Sequence, residues 1–158
     1  SCSDSLIIAL KKIKTGFIYL NSDLIVSSQT FTKLLDIKDE NLIFLRSLNN
    51  KKETSMQKVN ELNNTVLNMD LKLNTNYNAE AVGPVKFSNN ARKDIIKIYN
   101  NFRMKQKKMM PCYSLFGHFA KINTLNCRYI SDKDWVEINT LQDYEMAGDK
   151  LLSNWNMK

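Results

Sequence analysis

The chain has 158 residues, 43% of them hydrophobic, enough for one domain, residues 1–158, around one core. With 23 Lys and Arg against 16 Asp and Glu its net charge is +7, which favours anionic partners such as phosphates, nucleotides or nucleic acid. No apolar run approaches the ~20 residues of a membrane-spanning helix, and the first lysines follow the opening apolar stretch instead of preceding it as in a secretory leader, so the expected location is the cytoplasm.

Residues 4–14 predict an amphipathic helix capped by Ser3 or Asp4, with Leu6, Ile7, Leu10 and Ile13 as its stripe and Gly16 beyond its end. Phe17-Ile18-Tyr19-Leu20 is a continuous apolar run, the pattern of a strand buried on both faces in a parallel sheet. It stops at Asn21-Ser22-Asp23, Leu24-Ile25-Val26 continues, and residues 28–36 predict a second helix. Residues 42–48 read as another buried strand. Asn63-Asn64 separates two strand-like runs, Met56–Leu62 and Thr65–Leu73, as in a hairpin. Residues 80–87 form a further strand, in which Pro84 cannot donate a ladder hydrogen bond and marks an edge or a bulge. Residues 89–104 predict a helix with Ile95, Ile96, Tyr99 and Phe102 on one side, and 112–122 a shorter one. Two short strands, 127–130 and 135–138, lead to a closing helix, 141–155, carrying Leu141, Tyr144, Leu151, Leu152 and Trp155. Alternating strands and helices interrupted by a hairpin predict an α/β layered fold.

The three cysteines, Cys2, Cys112 and Cys127, are widely spaced and form no CxxC pair, and His118 is the only histidine. Neither a disulfide framework nor a two-His metal site is expected. Cys112 and His118 lie six residues apart, on different faces of a helix, which separates a would-be nucleophile from its base. The basic cluster Arg103, Lys105, Lys107 and Lys108 suits an anion or simply a solvated surface.

Three stretches carry candidate chemistry. Asp23 follows an apolar strand, where α/β sheets bind ligands; its carboxylate suits Mg²⁺ and phosphate oxygens, although Asn21-Ser22-Asp23 also reads as an ordinary turn. In Trp135-Val136-Glu137-Ile138-Asn139-Thr140, Glu137 and Asn139 share one face of a strand, and Asn139 or Thr140 can cap the last helix. Glu80, Gly83 and Lys86 share a strand in which Gly83 permits close approach and Lys86 can neutralise a phosphate, or they belong to an exposed edge with ordinary charges.

Taken together, Phe17–Val26, Ala79–Ser88 and above all Trp135–Tyr144 (WVEINTLQDY) resemble motifs of the nucleotidyltransferases that activate sugar phosphates and small alcohol phosphates. The likeness is nearest to phosphocholine cytidylyltransferases and to those linked to phosphoenolpyruvate mutase. The resemblance implies a Rossmann-like mixed sheet flanked by helices. It also implies attack of an acceptor phosphate on the α-phosphorus of a nucleoside triphosphate, with CTP favoured and phosphocholine, a phosphonate or a sugar phosphate as acceptor. Asp23 and Asn139 would hold Mg²⁺, Asp23 and Lys86 would serve catalysis, and Glu80, Lys86 and Glu137 would lie at the substrate.

Two departures bear on activity. Asn139 stands where the family pattern has Asp, so the site loses one negative charge, which Glu137 can offset. The family's first strand and Gly-rich triphosphate loop have no counterpart among the four glycines of this sequence. The sequence is therefore expected to be an N-terminally truncated version with impaired transfer. A non-catalytic binding module of the same fold is the alternative. A basic nucleic-acid-binding protein is a third reading, for which no reader motif is present.

Overall fold

The computed structural model describes residues 2–48, 57–73, 76–105 and 110–154, with side chains as far as residue 148. In chain order the elements are α1 (Cys2–Lys12), β1 (Phe17–Tyr19), β2 (Leu24–Val26), α2 (Ser28–Asp36), β3 (Leu42–Ser47), β4 (Gln57–Leu62), β5 (Thr65–Asp70), β6 (Ala79–Phe87), α3 (Asn89–Lys105), α4 (Cys112–Ala120), β7 (Asn126–Tyr129), β8 (Trp135–Glu137) and α5 (Leu141–Asn154). Met56, Lys107, Lys108 and Trp155, singled out in the sequence, lie outside the described residues.

β6 is the strand on which the main sheet is built. Nearly every residue from Ala79 to Phe87 is buried, because β3 pairs along one edge while β1 and β4 share the other. The sheet order is β1-β6-β3-β7-β5-β4, with β4 returning to β6. It is mixed: β3 and β7 run parallel, and the other described pairs are antiparallel. The Asn63-Asn64 hairpin forms as expected, with both asparagines in the left-handed region at φ 53° and 61°, as a two-residue type I′ loop requires.

Side-chain alternation divides the core. Ile43, Leu45, Val85 and Phe87 face α1, α3 and α4. Leu42 and Phe44 face Leu34 of α2. The predicted stripes of α1 and α3 are found here, Ile7, Leu10, Ile95 and Tyr99 being buried and Ile96 and Phe102 packed beside them. On α4, Gly117 lies so close to the Met69 backbone of β5 that a side chain there would strike its carbonyl.

The structure corrects three local expectations. β1 is not a doubly buried parallel strand: it is a half-buried edge strand antiparallel to β6, and Leu20 is exposed. Its apolar run is explained by rings packing on one face, Phe17 against Phe87 and Tyr19 against Phe116. The Glu80–Lys86 strand is the buried centre of the sheet and not an exposed edge. On α5, Leu141 and Tyr144 are exposed while Ala147 is buried, so the packing stripe is not the one expected.

Candidate functional site

Pro84 shows where β6 opens. On the outer edge β1 pairs no further than Val85 and β4 no further than Ala81. Val82, Gly83 and Pro84 are therefore unpaired on that side, where a missing proline N–H costs nothing. On the inner edge the register shifts between Ile43 and Leu45, so the bulge accommodates the same three residues. Gly83 has φ 61°, and the space its side chain would fill holds the hydroxyl of Tyr113 from α4. Gly83 does permit a close approach, and the group that makes it is a phenol of the protein itself.

A second, two-stranded sheet of β2 and β8 lies beside this opening, with Leu24 opposite Glu137 and Val26 opposite Trp135. Leu24 and Trp135 pack on Val82 of β6. Asp23 occupies the turn before β2, where the Leu24 N–H bonds the Asn21 carbonyl at 3.3 Å. Its own carbonyl receives the Ile138 N–H at 2.8 Å, which brings Asp23 to the same end of the small sheet as Glu137 and Asn139. The carboxylate oxygen Oδ1 of Asp23 is buried and has no hydrogen-bond partner among the described residues. Buried carboxylate oxygens are costly unless satisfied. The Tyr113 hydroxyl is near the same charges: burial raises its pKa first, and Glu137 and Asp23 raise it further.

Asn139 is exposed, and the helix cap is Thr140. Thr140 Oγ1 accepts the Asp143 N–H at 3.1 Å, while Asp143 Oδ2 accepts the Thr140 N–H at 2.8 Å and the Asn139 N–H at 3.1 Å. This reciprocal capping box fixes the backbone at Asn139. The Thr140 hydroxyl and the Asn139 N–H hold the Asp143 carboxyl below its usual range.

Glu80 and Lys86 are engaged elsewhere. Glu80 is buried in an ion pair with Arg46, at 2.7 Å, and the Arg46 guanidinium lies 5.4 Å from the Trp135 ring centre. Glu80 thereby anchors the small sheet to the main one. Lys86 caps α2, its ammonium donating to the carbonyls of Leu34 at 2.9 Å and Ile37 at 2.5 Å. Such a capping lysine sits favourably at a helix C-terminus. The Cys112–His118 separation also holds, since Cys112 is buried and His118 exposed; burial pushes the Cys112 thiol up to about 12. Of the basic cluster, Arg103 and Lys105 lie in the last turn of α3, where they complement its dipole.

Sequence reasoning missed Tyr113 and Arg46. A charge in the buried run Leu42–Ser47 demanded a partner, which was the signal for Arg46. For Tyr113 the periodicity of α4 gives only the buried face.

Among the described residues no group of three or more His, Cys, Asp or Glu side chains is arranged to hold a metal ion. A cation at Asp23 would rest on one or two carboxylates with neutral oxygens, the kind of donor set Mg²⁺ accepts when substrate phosphates and water complete its shell. The orphaned Oδ1 of Asp23 fits that use. No described helix is long and apolar enough to cross a membrane.

No protein-family model matches the chain, and comparison with curated proteins finds no match. Solved structures do match. The inositol-1-phosphate CTP transferase of T. maritima aligns over 96% of this chain with a TM-score of 0.73 and 11% identity. The CTP:phosphocholine cytidylyltransferase of Streptococcus pneumoniae aligns over 94% with 0.66 and 12%, and a UDP-glucose pyrophosphorylase over 95% with 0.72 and 11%. The chain covers 62%, 63% and 61% of those three chains, respectively. The fold expected from the three motifs is therefore the fold observed.

Proposed function

We propose that this chain, which has the fold of the nucleotidyltransferases, carries the metal-side half of a nucleotidyl-transfer site, centred on Asp23. The observation that supports this most is the buried, unpartnered Oδ1 of Asp23 at the end of the small sheet that also bears Glu137 and Asn139. Asp23 is the charged ligand for Mg²⁺, and Asn139 with Glu137 supplies further oxygens. Bound there, Mg²⁺ would offset phosphate charge. The chain's own residues do the positioning. Asp23 is held by its backbone bond to Ile138, Glu137 by the anchoring of Trp135 on Arg46, and Asn139 by the Asp143 capping box. Tyr113 keeps a neutral hydroxyl against Gly83 and closes one wall of the site. The substrates in this reading are a nucleoside triphosphate, CTP by preference, and a small phosphorylated acceptor such as phosphocholine.

Titration with Mn²⁺ as a probe, followed by proton relaxation, tests the centre. Asp23→Asn weakens binding about tenfold or more, consistent with loss of a charged ligand. Asn139→Asp strengthens it. Equal affinity in all three proteins would remove the metal site. The 158-residue chain itself is expected to form little or no CDP-linked product from CTP and phosphocholine, and robust Mg²⁺-dependent turnover would show that part of the reading wrong.

The second reading, a binding module without catalysis, is favoured by one observation: the neutral, exposed Asn139 where the family pattern has a carboxylate. It is supported if Asn139→Asp gains metal affinity without any gain in product.

A further inference from the structure

On α3, Ile98, Phe102 and Lys105 recur at helical spacing and so share one side. That side meets α4 across a groove of about 440 Å³, within the roughly 300–1,000 Å³ of small-molecule sites. Ile98 and Phe102 pack only partly into the main core, and Met110, which precedes α4, is buried. Ile122 follows α4 in a turn closed by its own N–H on the Phe119 carbonyl at 3.1 Å. It is 69% exposed, so an apolar side chain is left in water beside an apolar wall. No residue lining the groove belongs to β2, β8 or the Asp23 turn, which separates it from the candidate metal site.

The polar side of the groove has one sign of charge. Lys105 comes from the last turn of α3 and His118 from the last turn of α4; both are exposed. No Asp or Glu lines the groove. The His118 ring stands 6.5 Å from the Phe102 ring, with the planes inclined at 44°, so two rings flank the space. We propose that the α3–α4 groove is a binding site for a small aromatic carboxylate. The ligand's ring packs among Ile98, Phe102 and Ile122, where ring pairs favour centroid separations of about 4.5–7 Å. Its carboxylate accepts from the Lys105 ammonium and from a ring N–H of His118.

Charge and shape select this class of ligand. The chain's net charge of +7 draws anions to its surface, and the groove offers Lys105 with no acid to oppose it. Lysine is a compact point charge, suited to a single carboxylate, and lacks the fork with which arginine grips phosphate. One such cation beside apolar walls fits a monoanion with an apolar body. A ligand held there bridges α3 and α4, and the first turn of α4 sets the Tyr113 hydroxyl against Gly83. The inference does not depend on nucleotidyl transfer.

The test titrates the isotope-labelled full chain with phenylacetate and follows its amide resonances. Those of Phe102, His118 and Ile122 shift saturably, while those of Asp23 and Ile138 stay in place. The neutral phenylacetamide binds about fivefold or more weakly, as loss of one charge contact implies. Cyclohexylacetate, which has no aromatic face, also binds more weakly. Lys105→Gln, at an exposed position, lowers the affinity for phenylacetate to that of the amide. Lys33→Gln on α2, across the main sheet, leaves it unchanged. Ile122→Asp, exposed as well, abolishes binding with the thermal midpoint retained. Absence of saturable shifts, equal affinity for phenylacetate and either analogue, or equal losses in the two lysine variants overturns the proposal.

Discussion

Gly83 combines two constraints that can be separated by mutation. Its φ of 61° disfavours any side chain, and the Tyr113 hydroxyl occupies the space one would need. Gly83→Ala is expected to cost about 1–3 kcal/mol, the range for backbone strain of this kind. In a Tyr113→Phe background the collision is relieved and only the backbone part remains, so the cost is smaller. Urea denaturation of the four proteins measures both costs, and equal values would mean that the hydroxyl contact does not matter. At this scale the turn that holds Asp23 was legible, because polar residues after an apolar run end a strand at a predictable place. Tyr113 was not, because helical periodicity marks the buried face without saying where the end of a long side chain arrives. For Lys86 a strand pattern shows only that its side chain alternates with Val85 and Phe87, and the tertiary structure adds the α2 carbonyls that it meets.

The start of α5 depends on an ionised Asp143. The Thr140 hydroxyl and the Asn139 N–H depress its pKa below the unfolded value of about 4. A depressed folded value means that the capping box contributes in full above that unfolded value and is lost as pH falls through the folded one. Acidification below about pH 4 should therefore fray the first turn of α5, shifting the Asn139 and Thr140 amide resonances. Amide shifts that titrate identically in Asp143→Asn would contradict this. The cap was legible as polar residues before an apolar helix. The helix face was not, since Leu141 and Tyr144 fit a stripe that nothing among the described residues covers. β1 was misassigned because aromatic packing on one face and burial on both give the same apolar run; the pairing partner, a strand some seventy residues later, distinguishes them.

Across the molecule, the Arg46–Glu80 pair joins the two sheets. Arg46 is held by Glu80 within the main sheet and lies over Trp135 of the small one. Glu80→Ala removes the buried carboxylate that pairs with the Arg46 guanidinium and should cost about 3–5 kcal/mol. It should also loosen β8 and so weaken Mn²⁺ binding at Asp23 without touching a ligand. Thermal denaturation and the Mn²⁺ titration check the two effects. A loss of stability with unchanged affinity would confine Glu80 to the main sheet. The layered α/β architecture was legible from alternation and from the three motifs. The curl of the hairpin back onto β6 was not, because β4 pairs with Ala79–Ala81 through contacts that no local pattern encodes.

The strand pairings also set an order of assembly. β1, β3 and β4 all pair with β6, β3 further pairs with β7, and β2 pairs with β8. A chain emerging from the ribosome can close the β4–β5 hairpin by itself, since only Asn63-Asn64 separates its strands. The other described pairs span long loops whose closure entropy is met before any contact repays it. The Asp23 turn waits longest, because β8 must arrive before the Asp23 carbonyl can accept the Ile138 N–H. The candidate site is thus completed late in synthesis, after the sheet beneath it can form.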